Sequence, residues 1–354
     1  CIKYLYIMEK TRANIRHVEV SEIERFIANV GERPFRVKQI VEWLWQKHAH
    51  SFDEMTDLSK DLRKQLVEHF TFPALQIDVT QQSEDGTLKT RFRTFDDHLI
   101  EGVLIPTSER KTACVSSQIG CSLSCKFCAT GTMDRKRNLN FDEIYDQVVY
   151  INQQSEATHE KHLSNIVFMG MGEPLMNYHN VLKAIEKITS PEGLGMSAKR
   201  ITVSTAGLVK QIRQLGDDGV KFKLAISLHA PNDKKRNEVM PINESNNIKS
   251  LVEALNYFYK KTGTEISFEY ILFKDFNDSE KDAEELTKIY RQVPADLINV
   301  IEYNTVDNFG FDKPDEDGFE RFVEILQKNR VNVRVRRSRG KDIDAACGQL
   351  ANKG

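Results

Sequence analysis

Three cysteines on one short stretch carry the chemistry that is easiest to read. Cys121, Cys125 and Cys128 stand as Cys-Ser-Leu-Ser-Cys-Lys-Phe-Cys, a C-x3-C-x2-C spacing. Thiolates this close together hold a metal centre from one side. A closed structural zinc site takes four ligands, and a cubane iron–sulfur cluster held entirely by protein also takes four cysteines. Three cysteines leave one iron open to a substrate. A zinc site here needs a fourth ligand, from Cys114 or a distant histidine, and a disulfide leaves one thiol unpaired. The spacing favours a 4Fe–4S cluster over both. Downstream, Gly170-Met-Gly172-Glu173-Pro174 follows a strand-like run. Glycine lets backbone approach closely, and Glu173 is an acceptor suited to an ammonium group.

The elements that must position these residues follow from composition and periodicity. The chain has 354 residues, 50 lysines and arginines against 52 aspartates and glutamates, and 40% hydrophobic residues. This composition is globular, and it excludes collagen-like, disordered-tail and disulfide-scaffold classes. Six cysteines, most of them clustered, suit a metal or redox site in a reducing compartment. No apolar run approaches the ~20 residues of a membrane-spanning helix. The apolar opening, Cys1 to Ile7, is too short for a signal peptide; Met8 is read as the initiator, and the protein is expected in the cytoplasm.

Residues 8–72 read as a small helical accessory domain. Val37, Ile40, Val41, Leu44 and Trp45 have helical spacing, and Ser59 is an N-cap for a helix bearing Leu62, Leu66 and Phe70. Residues 73–108 read as a β-meander with Asp85-Gly86 and Asp96-Asp97 turns. From 109 to 336 strands and helices alternate, which implies a parallel sheet. The expected fold class is α/β, a partial (β/α)6 barrel, with a doubly wound sheet as the alternative. Residues 337–354 form a tail carrying Cys347.

Three segments extend the pattern: Cys114-Val-Ser-Ser-Gln-Ile-Gly-Cys121, Met169-Gly-Met-Gly-Glu-Pro-Leu175 and Asp344-Ala-Ala-Cys347-Gly-Gln-Leu350. With the triad, they resemble the radical S-adenosylmethionine (SAM) enzymes, and among them the RlmN/Cfr family of RNA adenosine methyltransferases, from about residue 30 to 350. The resemblance implies that the open iron binds SAM, with Gly172, Glu173, Ser204, Ser227, Leu228, His229 and Asn304 as cofactor contacts. It implies that one SAM methylates Cys347 and that a second yields a 5′-deoxyadenosyl radical, which takes a hydrogen atom from the S-methyl group. The methylene radical then adds to C2 of adenosine in 23S ribosomal RNA or transfer RNA. Cys114 attacks the thioether sulfur, forming a disulfide with Cys347, while Glu101 removes the C2 proton as general base. A Cfr-like enzyme would act on C8 instead. An electron donor such as flavodoxin and a monomeric state are also expected. A non-catalytic, zinc-containing RNA-binding protein is the alternative from another class.

Charge is segregated. Seven basic residues and no acidic one lie between Lys328 and Lys341, and Asp134-Arg-Lys-Arg137 follows the cysteine loop. These, with Arg33, Arg36, Lys38 and Lys47, are expected to meet RNA phosphates. Replacing Cys125 with alanine is expected to abolish the cluster. Iron analysis after anaerobic reconstitution checks this, and a brown, fully iron-loaded Cys125→Ala protein would refute the ligand assignment.

Overall fold

The computed structural model describes residues 12–306 and 309–352. The readings made for residues 1–11 therefore lie outside the described residues. The N-terminal module holds β1 (Ala13–Asn14), α1 (Val20–Asn29), α2 (Phe35–Trp45), α3 (Lys60–His69) and β2 (Phe70–Thr71). The Ser59 hydroxyl caps α3 by accepting the Leu62 N–H at 3.1 Å. Phe70 does not extend that helix, as its spacing had suggested. It is extended and buried in β2, which pairs in parallel with β1.

The meander follows as β3 (Gln76–Gln82), β4 (Leu88–Arg93) and β5 (Leu99–Pro106), and β6 (Lys111–Cys114) pairs antiparallel with β5. Two short strands, β7 (Gln118–Ile119) and β8 (Arg137–Asn138), pair antiparallel and close the base of the cysteine loop. Then come α4 (Phe141–His159), β9 (Asn165–Phe168), α5 (Tyr178–Thr189), β10 (Ile201–Thr205), α6 (Val209–Asp217) and β11 (Lys223–Ser227). The chain continues through α7 (Asp233–Val239), α8 (Ile248–Thr262), β12 (Ile266–Leu272), α9 (Glu280–Gln292), β13 (Leu297–Glu302), α10 (Glu316–Lys328) and β14 (Val333–Arg336).

The sheet runs β14-β13-β12-β11-β10-β9-β6-β5-β4-β3. From β6 to β14 the pairing is parallel and follows chain order. A doubly wound sheet reverses its strand order at a switch point. None occurs here, so the barrel reading holds. Both faces of the parallel sheet are covered: Ile266, Phe268, Tyr270 and Leu272 on one face of β12 are fully buried, and Glu269 and Ile271 on the other are buried too. In the sheet order β14 has one neighbour, which leaves a seam on the side away from β13.

The N-terminal module is fastened to α4 by charge. Arg16, buried, donates to both carboxylate oxygens of Asp146, one at 3.0 Å, and lies 3.4 Å from Asp142. His17 Nε2 is 2.9 Å from Asp142. Burial alone would raise the Asp142 carboxyl, but the His17 hydrogen bond and the Arg16 charge outweigh it and hold it below the ordinary 3.8. Its stabilising contribution is therefore present above pH 3.8 and is lost as pH falls through the lower folded value. Arg16→Met leaves two buried carboxylates without their cation. It is expected to cost about 3–5 kcal/mol in urea unfolding at neutral pH and to reduce the acid sensitivity; an unchanged midpoint would refute this docking.

Candidate active site

The cysteine loop leaves the β7–β8 base and turns back through Ser124, whose φ is 51°. Its position is fixed by backbone contacts. The Lys126 N–H donates to Val239 O at 2.9 Å, and Gly131 N–H to Cys128 O at 2.9 Å. Cys121, Cys125 and Cys128 line one cavity, of about 130 Å3. Opposite them are Gly172, Glu173, Ser204, Ser227, His229, Glu269 and Arg336. Gly172 has φ +94°, and a Cβ there would lie 2.5 Å from the Gln118 side chain. A Cβ on Gly170 would lie 2.7 Å from the Val115 backbone. Both glycines thus press the Gly-Glu-Pro loop onto the segment that leads into the cysteines.

Burial pushes the Cys121 thiol up to about 11, and raises Cys125 and Cys128 also. They are neutral until a metal centre displaces their protons. Among the described residues, no three histidine, cysteine, aspartate or glutamate side chains converge tightly enough for a single metal ion. A cubane spreads its cysteines over different irons, so a wider cradle of three suits a cluster. His229 does not complete a zinc site: its Nδ1 accepts the Ile271 N–H at 3.1 Å, which leaves the proton on Nε2 of the neutral ring. Burial and then Arg236 bring its pKa down to about 3.

Glu173 is buried, and its carboxylate accepts N–H bonds from Ala206 at 2.8 Å and Leu175 at 3.0 Å. Burial pushes its pKa up to about 7 despite those bonds. A cationic amine beside it repays that desolvation.

Not every expected residue reaches this cavity. Leu228 is fully buried, its N–H donated to Glu269 O and its carbonyl accepting from Arg236. Asn304 Nδ2 donates instead to the Cys347 carbonyl, at 3.2 Å. Glu101 is buried behind the tail: one carboxylate oxygen accepts the Ala351 and Asn352 N–H groups at 3.0 and 3.1 Å, and the other lies 3.5 Å from the buried Lys89 ammonium.

Cys347 lines the first cavity and also a second, of about 500 Å3, that is bordered by Cys114, Ile105, Met169, Arg337 and Arg339. Burial and then a charge on Cys347 push the Cys114 thiol up to about 12, against Arg336. Arg336 donates to Glu269 at 2.9 Å, inside the barrel. The sequence had read it as part of an RNA-facing run, but it is an interior charge. Arg337 pairs with Glu316, Arg339 lies 3.6 Å from Asp85, and Arg137 is held by Asp96 and Glu143, at 2.6 and 2.7 Å. Lys47 pairs with Asp57 at 2.9 Å. Much of the expected phosphate-binding charge is therefore partnered within the protein. Sequence reasoning missed Glu269, although a glutamate in the apolar strand Ile-Ser-Phe-Glu-Tyr-Ile-Leu is itself a signal.

Comparison with known proteins agrees with this geometry. Residues 13–72 match the ribosomal RNA large subunit methyltransferase N-terminal domain, and residues 115–287 the radical SAM superfamily. A probable dual-specificity RNA methyltransferase RlmN of Christiangramia forsetii is 51% identical, over 99% of each chain. One from Cytophaga hutchinsonii is 53% identical, over 96% of this chain and 93% of its own. The chain belongs to the RlmN family. A crystal structure of a radical SAM methyltransferase from Sphaerobacter thermophilus superposes with a TM-score of 0.90 at 38% identity, covering 96% of this chain and all of that one. A 4Fe–4S cluster and SAM are the cofactors of this superfamily, and this family membership replaces the zinc alternative.

Glu173→Gln removes the charge and keeps one of the two backbone bonds, because its amide NH2 cannot accept an N–H. A charge-assisted hydrogen bond contributes about 1.5–3 kcal/mol, so SAM affinity is expected to fall roughly 10- to 100-fold with iron content unchanged. Equilibrium dialysis of reconstituted protein checks this; unaltered affinity would remove Glu173 from the ammonium site.

Proposed function

We propose that this RlmN-family enzyme methylates C2 of adenosine in 23S ribosomal and transfer RNA, with Cys347 as methyl carrier and Cys114 as the thiol that releases product. The observation that carries this reading is the place of Cys347, on the wall between the cysteine-triad cavity and the cavity containing Cys114. One sulfur there reaches cofactor on one side and substrate on the other. Cys121, Cys125 and Cys128 would hold the cluster, and Gly172, Glu173, Ser204, Ser227 and His229 would hold SAM. When bound, these groups supply methyl transfer and hydrogen-atom abstraction.

The protein's own residues prepare that chemistry. Asn304 and the cluster loop grip the backbone that follows the Cys347 side chain: Asn304 donates to the Cys347 carbonyl, and the Ala129 N–H donates to Gly348 O at 2.7 Å. Cys114 stays protonated while buried, and so does not attack before a substrate thioether lies beside it. Its attack forms the Cys114–Cys347 S–S bond and breaks the S–CH2 bond; the electron pair passes to carbon, which takes up the proton given up by the Cys114 thiol and becomes the methyl group. Leu228 and Asn304 act here through backbone and tail contacts. As base, Glu101 would take the proton on the oxygen that accepts neither tail amide and lies 3.5 Å from the Lys89 ammonium, the other oxygen being held by Ala351 and Asn352.

A flipped base needs a pocket, and the second cavity borders both cysteines. The enzyme is read as a monomer that works in the cytoplasm beside its RNA substrates; among the described residues no helix is long and apolar enough to cross a membrane. A low-potential one-electron donor such as a flavodoxin completes the system.

Reconstituted protein, SAM, a reductant and a 23S RNA fragment are expected to yield 2-methyladenosine by nucleoside mass spectrometry. Both Cys114→Ala and Cys347→Ala should lose product by more than 100-fold, and Cys114→Ala should accumulate RNA crosslinked to protein. 8-Methyladenosine would overturn the C2 assignment, and methylation by Cys347→Ala would overturn the carrier role.

A further inference from the structure

Arg236 is a buried cation that the proposed chemistry does not use. It sits on α7 with no exposed surface. Every acceptor it reaches is neutral: Leu228 O at 3.2 Å, Ala206 O at 2.6 Å, Ser227 O at 3.2 Å, Asn246 O at 3.5 Å and Asn243 Oδ1 at 2.6 Å. Among the described residues it makes no ion pair. A guanidinium taken from water without a counter-charge is strongly unfavourable, and five carbonyl-type bonds satisfy its protons without neutralising it. Arg16, the other fully buried arginine among the described residues, is treated differently and meets two carboxylates, and the half-buried Arg336 meets Glu269.

The missing anion is visible in what surrounds it. Burial brings the Arg236 pKa down to about 10, and the groups opposing that fall are Cys125 first and Asp233 second. Asp233 is already engaged, accepting from Asn243 at 2.9 Å and the Ile248 N–H at 2.8 Å. The same helix touches the cysteine loop, where the Lys126 N–H bonds to Val239 O at 2.9 Å.

We propose that Arg236 is the fixed counter-charge of the iron–sulfur cluster, and that it makes the cluster easier to reduce. This rests on the placement of the cluster at Cys121, Cys125 and Cys128. A cluster bound by three thiolates carries net negative charge, and reduction adds one electron from an external one-electron donor. A buried cation stabilises the reduced form more than the oxidised form. It acts through a low-dielectric medium that screens little, and net charge is one determinant of cluster potential. Arg236 touches neither substrate nor SAM in this reading. It is a positioning residue that acts through the cluster.

The test uses anaerobically reconstituted full-length protein. Iron and sulfide are quantified, and the midpoint potential is followed by electron paramagnetic resonance during dithionite titration. Arg236→Gln is expected to shift the midpoint to lower potential, and Arg236→Lys, which keeps the charge, to stay near wild type. Should Arg236→Gln fail to load a cluster, loading by Arg236→Lys supports the charge role. Arg236→Gln loaded at an unchanged potential overturns the proposal. Failure of both variants to load also overturns it, in favour of a clamp on the β10 and β11 ends. A wild-type protein without a cluster would instead refute the cysteine assignment itself.

Discussion

The structure depends on one sulfur being held between two cavities, and it is held by backbone. The segment from Arg337 to Asn352 crosses the barrel's open seam as a strap. At its near end Asp342 accepts from the Ser83 hydroxyl and the Glu84 N–H, and the Gly340 N–H bonds to Asp85 at 3.0 Å. At its far end the Leu350 carbonyl accepts from Thr130 at 2.6 Å and Glu101 takes two amides. Gly348, with φ +85°, lies where a Cβ would stand 3.0 Å from Phe127 O. The strap is thus tied to the meander, the cysteine loop and the end of β13 together. Moving any of the three displaces Cys347 from the wall that both cavities share.

The barrel interior is organised around fixed charges, each with its own compensation. Glu269 accepts from Arg336 and from Asn299 at 2.7 Å, and so forms a complete pair beside the cavity. Glu173 is a carboxylate supplied with amide donors but no cation. Arg236 is the converse, a cation supplied with carbonyl acceptors but no anion. Buried groups satisfied for hydrogen bonding yet not for charge mark where an oppositely charged partner must come to rest. Both groups are bonded to Ala206, Glu173 to its N–H and Arg236 to its carbonyl, which brings a site for an ammonium group close to a site for an anion.

What was legible in the sequence was local. The triad spacing, the Ser59 cap and the strand–helix alternation each depend on neighbours in the chain, and each has its counterpart in the structure. Longer-range partnerships were hidden. The run from Lys328 to Lys341 looked like an unpaired basic face because its acids, Glu269, Glu302, Glu316 and Asp85, lie on other elements. Glu101 alternates with apolar residues as a solvent-facing strand position would. Its burial comes from a tail some 250 positions away in the chain. α7 escaped notice because Asp233–Val239 spans barely two turns and is mostly polar, leaving no apolar stripe to read.

The open seam explains why this chemistry needs a strap at all. A closed eight-stranded barrel fills its interior with layers of side chains. Here the parallel run stops at β14, and the sheet continues past β6 into three antiparallel strands instead of closing. The interior is left as a cavity with a side opening. A tail laid over that opening completes the wall and carries a reactive group on it. Cys347 shares this position between two cavities with Ile301 of β13 and Arg336 of β14, and the strap adds a thiol to the wall they form. Cys114, on the β6 side of the opening, and Cys347, on the strap, are brought to a common cavity by the incompleteness of the barrel.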